Sequence, residues 1–355
     1  MRRTPVERTA GLKACATGLL ALNACATTLL ATALLAAALL SSACGGNRDG
    51  GEGALTVAVI PKGTSHEFWQ SIHAGAEKAA QEVGVRVAWR GPLREDDRDS
   101  QVAEVENAIA RGVAGIALAP LDDSALVAPV SSAMKRKIPV VIFDSGLKGE
   151  DYVSFVATDN DVGGRLAGEH MAKLVGPTGR VVMIRYAEGH DSTTRREEGF
   201  LSAIRAHPGI RLVSVNQYGG ADVEGFYKKG EALLSSLKTA DGKLPVDGLF
   251  TPNESSTFAM LRVLRDNGWL PQVKFIGFDA SDNLVQGLRE GHIRGLVVQD
   301  PVNMGYLSVK TLVAHIRGEP IQRRIDTGVR LVTPDMMDQP DVKALLEPDL
   351  SKWLK

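Results

Sequence analysis

From Gly45 to Lys355 the chain has no cysteine; its three, Cys15, Cys25 and Cys44, all lie in the first 44 residues. Disulfide staples and thiol catalysis are thereby excluded from the bulk of the sequence. Aromatic residues are scarce, at 5%, so any cluster of them calls for a reason. Basic excess is also missing. The net charge is -1, which offers no electrostatic footprint for nucleic acid. Catalytic signatures are absent in turn. "HEFWQ" has Gln70 where a zinc-binding H-E-x-x-H needs its second histidine. There is no phosphate loop, no G-x-G-x-x-G opening a helix and no G-x-S-x-G elbow. "DNDVGG" at 159–164 lacks the spacing of a calcium loop. The histidines are scattered, so no metal and no cofactor is expected. Asp144 and Asp279 could make a hydrolase pair, but nothing marks either as the acid.

The cysteine-bearing segment has its own character. Arg2, Arg3, Arg8 and Lys13 come first, and no charge follows until Arg48. "TTLLATALLAAALL" leads into "SSAC". This predicts a secretory signal over 1–43. Cys44, followed by "GGNRDGGEG", resembles a bacterial lipoprotein junction: cleavage before Cys44, lipid on its sulfur, and a flexible linker over 44–53. The competing reading is an uncleaved anchor, because the apolar run approaches the roughly 20 residues needed to span a bilayer. Both place the folded part outside the cytoplasmic membrane, in the periplasm or at the cell surface.

What the rest contains is alternation. Apolar, β-branched runs at 55–60, 85–89, 114–118, 139–143, 153–157, 180–184, 211–216, 246–250, 273–278 and 295–298 read as strands. Helical spacing fills most gaps, at 101–111, 124–136, 162–175, 194–206, 225–237, 255–267, 282–290 and 303–317, and also after Phe68-Trp69 through Ile72, Ala76 and Ala79. Repeated β-α-β units predict an α/β fold with two doubly wound parallel-sheet lobes. A break falls near "ATDN" at 157–160.

Ligands of open α/β sheets bind beyond the carboxyl ends of the strands. In the first half those positions hold Lys62, His66, Phe68 and Trp69, then Arg90 and Glu95, then Asp122 and Asp123, then Asp144 and Ser145. In the second half they hold Tyr186, His190 and Asp191 before the helix with Arg196, then Tyr218 and Asp222, Asn253 and Glu254, Asp279, and Gln299 and Asp300. A sugar presents apolar C–H faces and hydroxyl edges. Rings cover the faces, while carboxylates, amides and guanidinium groups bond the edges. Phe68 and Trp69 fit the first role; Asp144, Arg196, Asn253, Asp279 and Gln299 fit the second. Each has an ordinary alternative. The aromatics can pack a helix start into the core, the aspartates can cap helices, Lys62 can be solvated, and Arg196 can pair with Glu197 or Glu198.

In this order, "IPKGTSHEFWQSIHAGAEKAA", "ARGVAGIALAPLDDSAL", "IPVVIFDSG", "ATDNDVGGRLAG", "RREEGF", "GLFTPNESSTFAMLRVLRDNG", "FIGFDASDNLVQGLREGHIRGLVVQDP" and "GYLSVKTLVAHIRGE" resemble the periplasmic sugar-binding proteins of ABC transporters, of the ribose-binding type. The resemblance covers 54–335. It implies ligand contacts at Phe68 and Trp69 (the aromatic sandwich), Asp144, Arg196, Asn253, Phe278, Asp279 and Gln299. The chain departs from that pattern at His66, where ribose binders carry asparagine, and at Ser145, where they carry arginine. Lys62 with Asp144-Ser145 looks like binders of autoinducer-type furanoses, in which the equivalent lysine and aspartate touch the ligand. The resemblance also implies discontinuous lobes, 54–157 with 300–328 and 158–299 with 329–345, joined by a three-strand hinge. Its further implications are a monomer, a small sugar or polyol as ligand, an ABC permease as partner and no catalysis. The alternative is a sensory receptor feeding a membrane signalling partner.

Overall fold

Strand ends aim the site, and the central strands form where a short β-branched run can be buried on both faces. The structure, a computed structural model, describes residues 54–354. The expected leader 1–43, the linker 44–53 and the lipidation at Cys44 lie outside the described residues.

The first half runs β1 (Thr56–Ile60), α1 (Glu67–Val83), β2 (Arg86–Trp89), α2 (Arg98–Ala110), β3 (Gly115–Leu118), α3 (Val127–Lys135), β4 (Val140–Phe143) and β5 (Ser154–Ala157). The second runs α4 (Asn160–Val175), β6 (Arg180–Arg185), α5 (Asp191–Arg205), β7 (Arg211–Tyr218), α6 (Val223–Ser236), β8 (Gly248–Phe250), α7 (Glu254–Asp266), β9 (Lys274–Phe278), α8 (Asp282–Arg289) and β10 (Gly295–Gln299). α9 (Pro301–Ile316), β11 (Arg324–Asp326), β12 (Val329–Val332), a 3-10 turn (Pro334–Met336) and α10 (Pro340–Leu346) complete it.

Two six-stranded sheets result, in the orders β11-β5-β4-β3-β1-β2 and β12-β10-β9-β8-β6-β7. Strand pairs are parallel except β10 with β12. Alternate residues of each strand feed opposite faces. In the first lobe Val57, Val59, Val141 and Phe143 pack under α1 and α9, while Ala58, Ile60, Val140 and Ile142 pack under α2 and α3. In the second, Val181, Met183 and Phe278 face α4 and α5, and Val182, Ile184 and Phe275 face the opposite helices. Helices therefore cover both faces of both sheets, as expected of two doubly wound α/β lobes.

The chain passes between the sheets three times: from β5 into α4, from β10 into α9, and from β11 to β12. Each of the first two passages sends a helix onto the other sheet. α9 lies against α1, β3 and β4, and α4 lies against α5, β8 and β9. Contact there is close because the helices carry glycine where they touch. A Cβ on Gly75 would come 1.9 Å from the carbonyl oxygen of Val302, and one on Gly164 would come 2.0 Å from that of Arg196. β11, β12 and α10 are elements that the strand and helix patterns above do not anticipate.

Candidate functional site

Strand order reverses between β1 and β3 and, in the second sheet, between β6 and β8. Such switch points open a crevice at the carboxyl ends of the strands. The two crevices face one another across a narrow cavity. Its wall comprises Lys62, His66, Phe68, Trp69, Glu95, Asp144, Tyr186, Ser192, Thr193, Arg196, Asn253, Glu254, Asp279 and Gln299.

Two aspartates stand at equivalent places. Asp144 follows β4 and Asp279 follows β9, and each donates its N–H to the neighbouring strand, to Val156 and Val297 respectively. Both lie in the left-handed region, at φ 60° and 68°. That conformation is uncommon outside glycine and tends to persist where the surroundings over-determine it, as at ligand clamps. Here it turns both carboxylates inward. Arg196 of α5 lies between them, with Nη2 4.0 Å from Asp144 Oδ1 and Nη1 3.8 Å from Asp279 Oδ2. The guanidinium is fixed by donating to Asn160 Oδ1 at 2.8 Å and to the Pro252 carbonyl at 3.0 Å. Its back rests on the Phe278 ring, 3.9 Å from the centroid, a cation–π contact.

Lys62 is buried. Its Nζ is 3.0 Å from Asp144 Oδ2 and donates to Ser192 Oγ at 2.9 Å. Gln299 donates Nε2–H to Asp279 Oδ1 at 2.7 Å, while its Oε1 is buried without a partner among the described residues. A buried acceptor of this kind is costly unless a donor reaches it, and it lines the cavity. Phe68 and Trp69 meet edge to face, 5.0 Å between centroids, and both line the wall.

Glu95, on the loop after β2, organises the aromatic side. It accepts from Trp69 Nε1 at 2.6 Å and from the Tyr186 hydroxyl of the other lobe at 2.8 Å, and it lies 3.2 Å from His66 Nδ1. Burial opposes its charge, but the His66 hydrogen bond and charge, with Lys62 and the Trp69 N–H, hold its carboxyl well below the usual range. Burial would likewise lower His66. The Glu95 hydrogen bond and charge prevail, joined by Glu254 and Asp279, and raise it to about 9. Burial pushes Glu254 up to about 7 against the pull of His66. Burial also raises Asp279, opposed by Arg196 and Gln299. The cavity thus holds its cations already matched to carboxylates, which suits a neutral, hydroxyl-rich ligand better than an anion.

Of the residues singled out from the sequence, Lys62, His66, Phe68, Trp69, Asp144, Arg196, Asn253, Asp279 and Gln299 come together on this wall. Ser145 and Phe278 stand behind it. The Ser145 hydroxyl accepts from the Ser192 N–H at 3.1 Å, and Phe278 backs Arg196. Glu95, Tyr186 and Glu254 appeared among the strand-end residues without a role, and Ser192 and Thr193 not at all. The strand-end position was signal enough for the first three. The last two are visible only once α5 is placed. Among the described residues no cluster of potential metal ligands occurs, and no helix is long and apolar enough to cross a membrane.

A family model described as "Periplasmic binding protein domain" matches residues 57–320. A ribose import binding protein of Haemophilus influenzae is 26% identical over 278 residues, 78% of this chain and 91% of its own length. A D-ribose/D-allose-binding protein of Pseudomonas aeruginosa is 28% identical over 289 residues, covering 78% and 88%. Among solved structures, a carbohydrate transporter solute-binding protein of Agrobacterium radiobacter in complex with D-arabinose superposes with a TM-score of 0.78 at 33% identity, covering 84% of this chain and 100% of that one. An ABC transporter solute-binding protein of Agrobacterium vitis with bound D-fucose gives 0.77 at 32% identity, covering 82% and 99%.

Proposed function

The chain belongs to the periplasmic binding protein domain family, with the ribose-binding type of fold, and from that premise we propose that it captures one small neutral sugar between its lobes and delivers it to an ABC permease. The observation that carries the reading is the paired aspartates flanking Arg196 opposite Phe68 and Trp69. One side offers a ring an apolar surface. The other offers hydroxyls two carboxylates, a guanidinium and the unpaired oxygen of Gln299. The same arrangement supports Lys62, His66 and Asn253 as further ligand contacts, with Ser145 and Phe278 as their support. The moving bodies are 54–157 with 300–328 and 158–299 with 329–345, turning about the three passages of chain. Cys44, as a lipid anchor, would hold the monomer at the outer face of the membrane that contains the permease. The relatives and solved structures it matches are sugar-binding proteins of transporters, so binding without turnover is the expected chemistry.

Calorimetric titration with D-ribose, D-arabinose, D-allose and D-fucose, followed by recovery of the sugar, tests the reading. One of these or a related monosaccharide should bind and come back unaltered. Absence of heat across pentoses, hexoses and polyols would refute it, and recovery of a changed sugar would make the protein an enzyme.

A further inference from the structure

The first N–H groups of a helix have no partner within it and are commonly bonded by a side chain just before the helix. α2, α4, α6, α7 and α9 follow that rule, closing on Asp97, Asp159, Asp222, Asn253 and Asp300. α1, α3, α5, α8 and α10 do not: His66, Leu126, His190, Ser281 and Gln339 precede them with no side-chain cap. In three of the five, α1, α5 and α8, the missing acceptor comes from the opposite lobe. Phe68 N–H of α1 donates to Glu254 at 3.0 Å. Ser192 N–H of α5 donates to Ser145 at 3.1 Å. Asp282 N–H of α8 donates to Glu67 at 3.0 Å. Two of the exchanges run from the first lobe to the second and one runs back. The carboxylates of Glu67 and Glu254 also meet the positive ends of the helices they cap.

We propose that these cross-cleft caps are the device that holds the lobes closed, so that Glu67, Ser145 and Glu254 set how long a ligand is retained. The proposal rests on the reading that the lobes close on a sugar. Closure then completes three helices at once, and opening returns their first turns to water. Glu67 is the informative member, because it does not itself line the cavity, whereas Glu254 does.

Two measurements on Glu67→Ala decide the matter. Its affinity for the sugar that the wild-type protein binds should fall by about twofold to thirtyfold, the range of a lost helix cap, and the loss should appear as faster release. Residue-resolved amide exchange at Ser192, which Glu67 does not touch, should accelerate by a similar factor, because one closing event protects all three amides. Exchange at Ser192 is the deciding readout: unchanged exchange overturns the proposal whatever the affinity does. A protein that binds no sugar removes the transport reading and the retention role with it, while the exchange comparison on the sugar-free protein still decides whether the caps hold the lobes closed.

Discussion

Lys62 shows how one side chain can be read from its neighbours. A lysine after a buried strand is unusual unless it is paired, and here it holds Asp144 at 3.0 Å and Ser192 at 2.9 Å. The ammonium fixes one face of the carboxylate and leaves the other towards Arg196. Lys62→Met keeps the stem and removes the cation, so sugar affinity should fall by roughly 1–3 kcal/mol, the range for a charged hydrogen bond. Lys62 and Asp144 act on each other, so a double-mutant cycle with Asp144→Asn should show coupling of at least about 0.5 kcal/mol. Strictly additive losses would make them independent contacts. The site was legible at this scale because strand ends are marked by where an apolar run stops. Glu95 was harder. It sits six residues beyond β2, in a loop with no periodicity, and its importance lies in partners 26, 29 and 91 positions away in the chain.

At the scale of elements, the alternation of runs shows ten strands plainly, because most of them are buried on both faces and apolar throughout; β2 and β7 are partly exposed edge strands. β11 is three residues long with an exposed first and last position, and β12 is only partly buried along most of its length. Neither has the apolar continuity that marks a parallel strand, so pairing rather than composition makes them strands. The helix pairs are the other element-level feature. Gly164 lets α4 lie directly on the backbone of Arg196, so the position of the guanidinium depends on a missing methyl group. Gly164→Ala must push α5 outwards. We expect a loss of stability of about 1–3 kcal/mol, the usual cost of overpacking. Weaker sugar binding should accompany it, with Gly75→Ala, at the helix contact of the other lobe, affecting stability more than binding. Chemical unfolding and calorimetry on both variants provide the check, and equal effects on binding would show that Arg196 is not positioned by this contact.

For the whole molecule, acidity is a property of both lobes together. His66 lies in the first lobe, but its pKa of about 9 draws on Glu254 and Asp279 of the second as well as on Glu95. A basic group raised above its unfolded value of about 6.5 contributes stability that is full below that value and lost as pH rises through about 9. Glu254, raised to about 7, has the same sign over a lower window, full near its unfolded value and lost through about 7. His190, held by burial at about 3, contributes the opposite slope up to its unfolded value of about 6.5, so the melting temperature should decline chiefly from about pH 7 to pH 9, and His66→Gln should flatten that decline. A wild-type curve that is level across this interval would mean that His66 and Glu254 do not feel the partners the closed cleft gives them.

The three passages of chain between the sheets also bear on how the protein comes to be folded. The first sheet is covered by α9 and edged by β11, both from beyond residue 300, although its other strands end at Ala157. Residues 54–157 alone would leave Val57, Val59, Val141 and Phe143 without their α9 neighbours, an apolar face open to water. The second lobe in turn needs β12, which follows the excursion into the first. Each lobe is thus closed by chain that has already visited the other, and contacts such as α1 with α9 span more than two hundred residues. Long-range closure of this kind slows folding. The lobe synthesised first is then the one whose core waits for nearly the whole chain, and until α9 arrives its exposed face is where an aggregate or a chaperone would take hold.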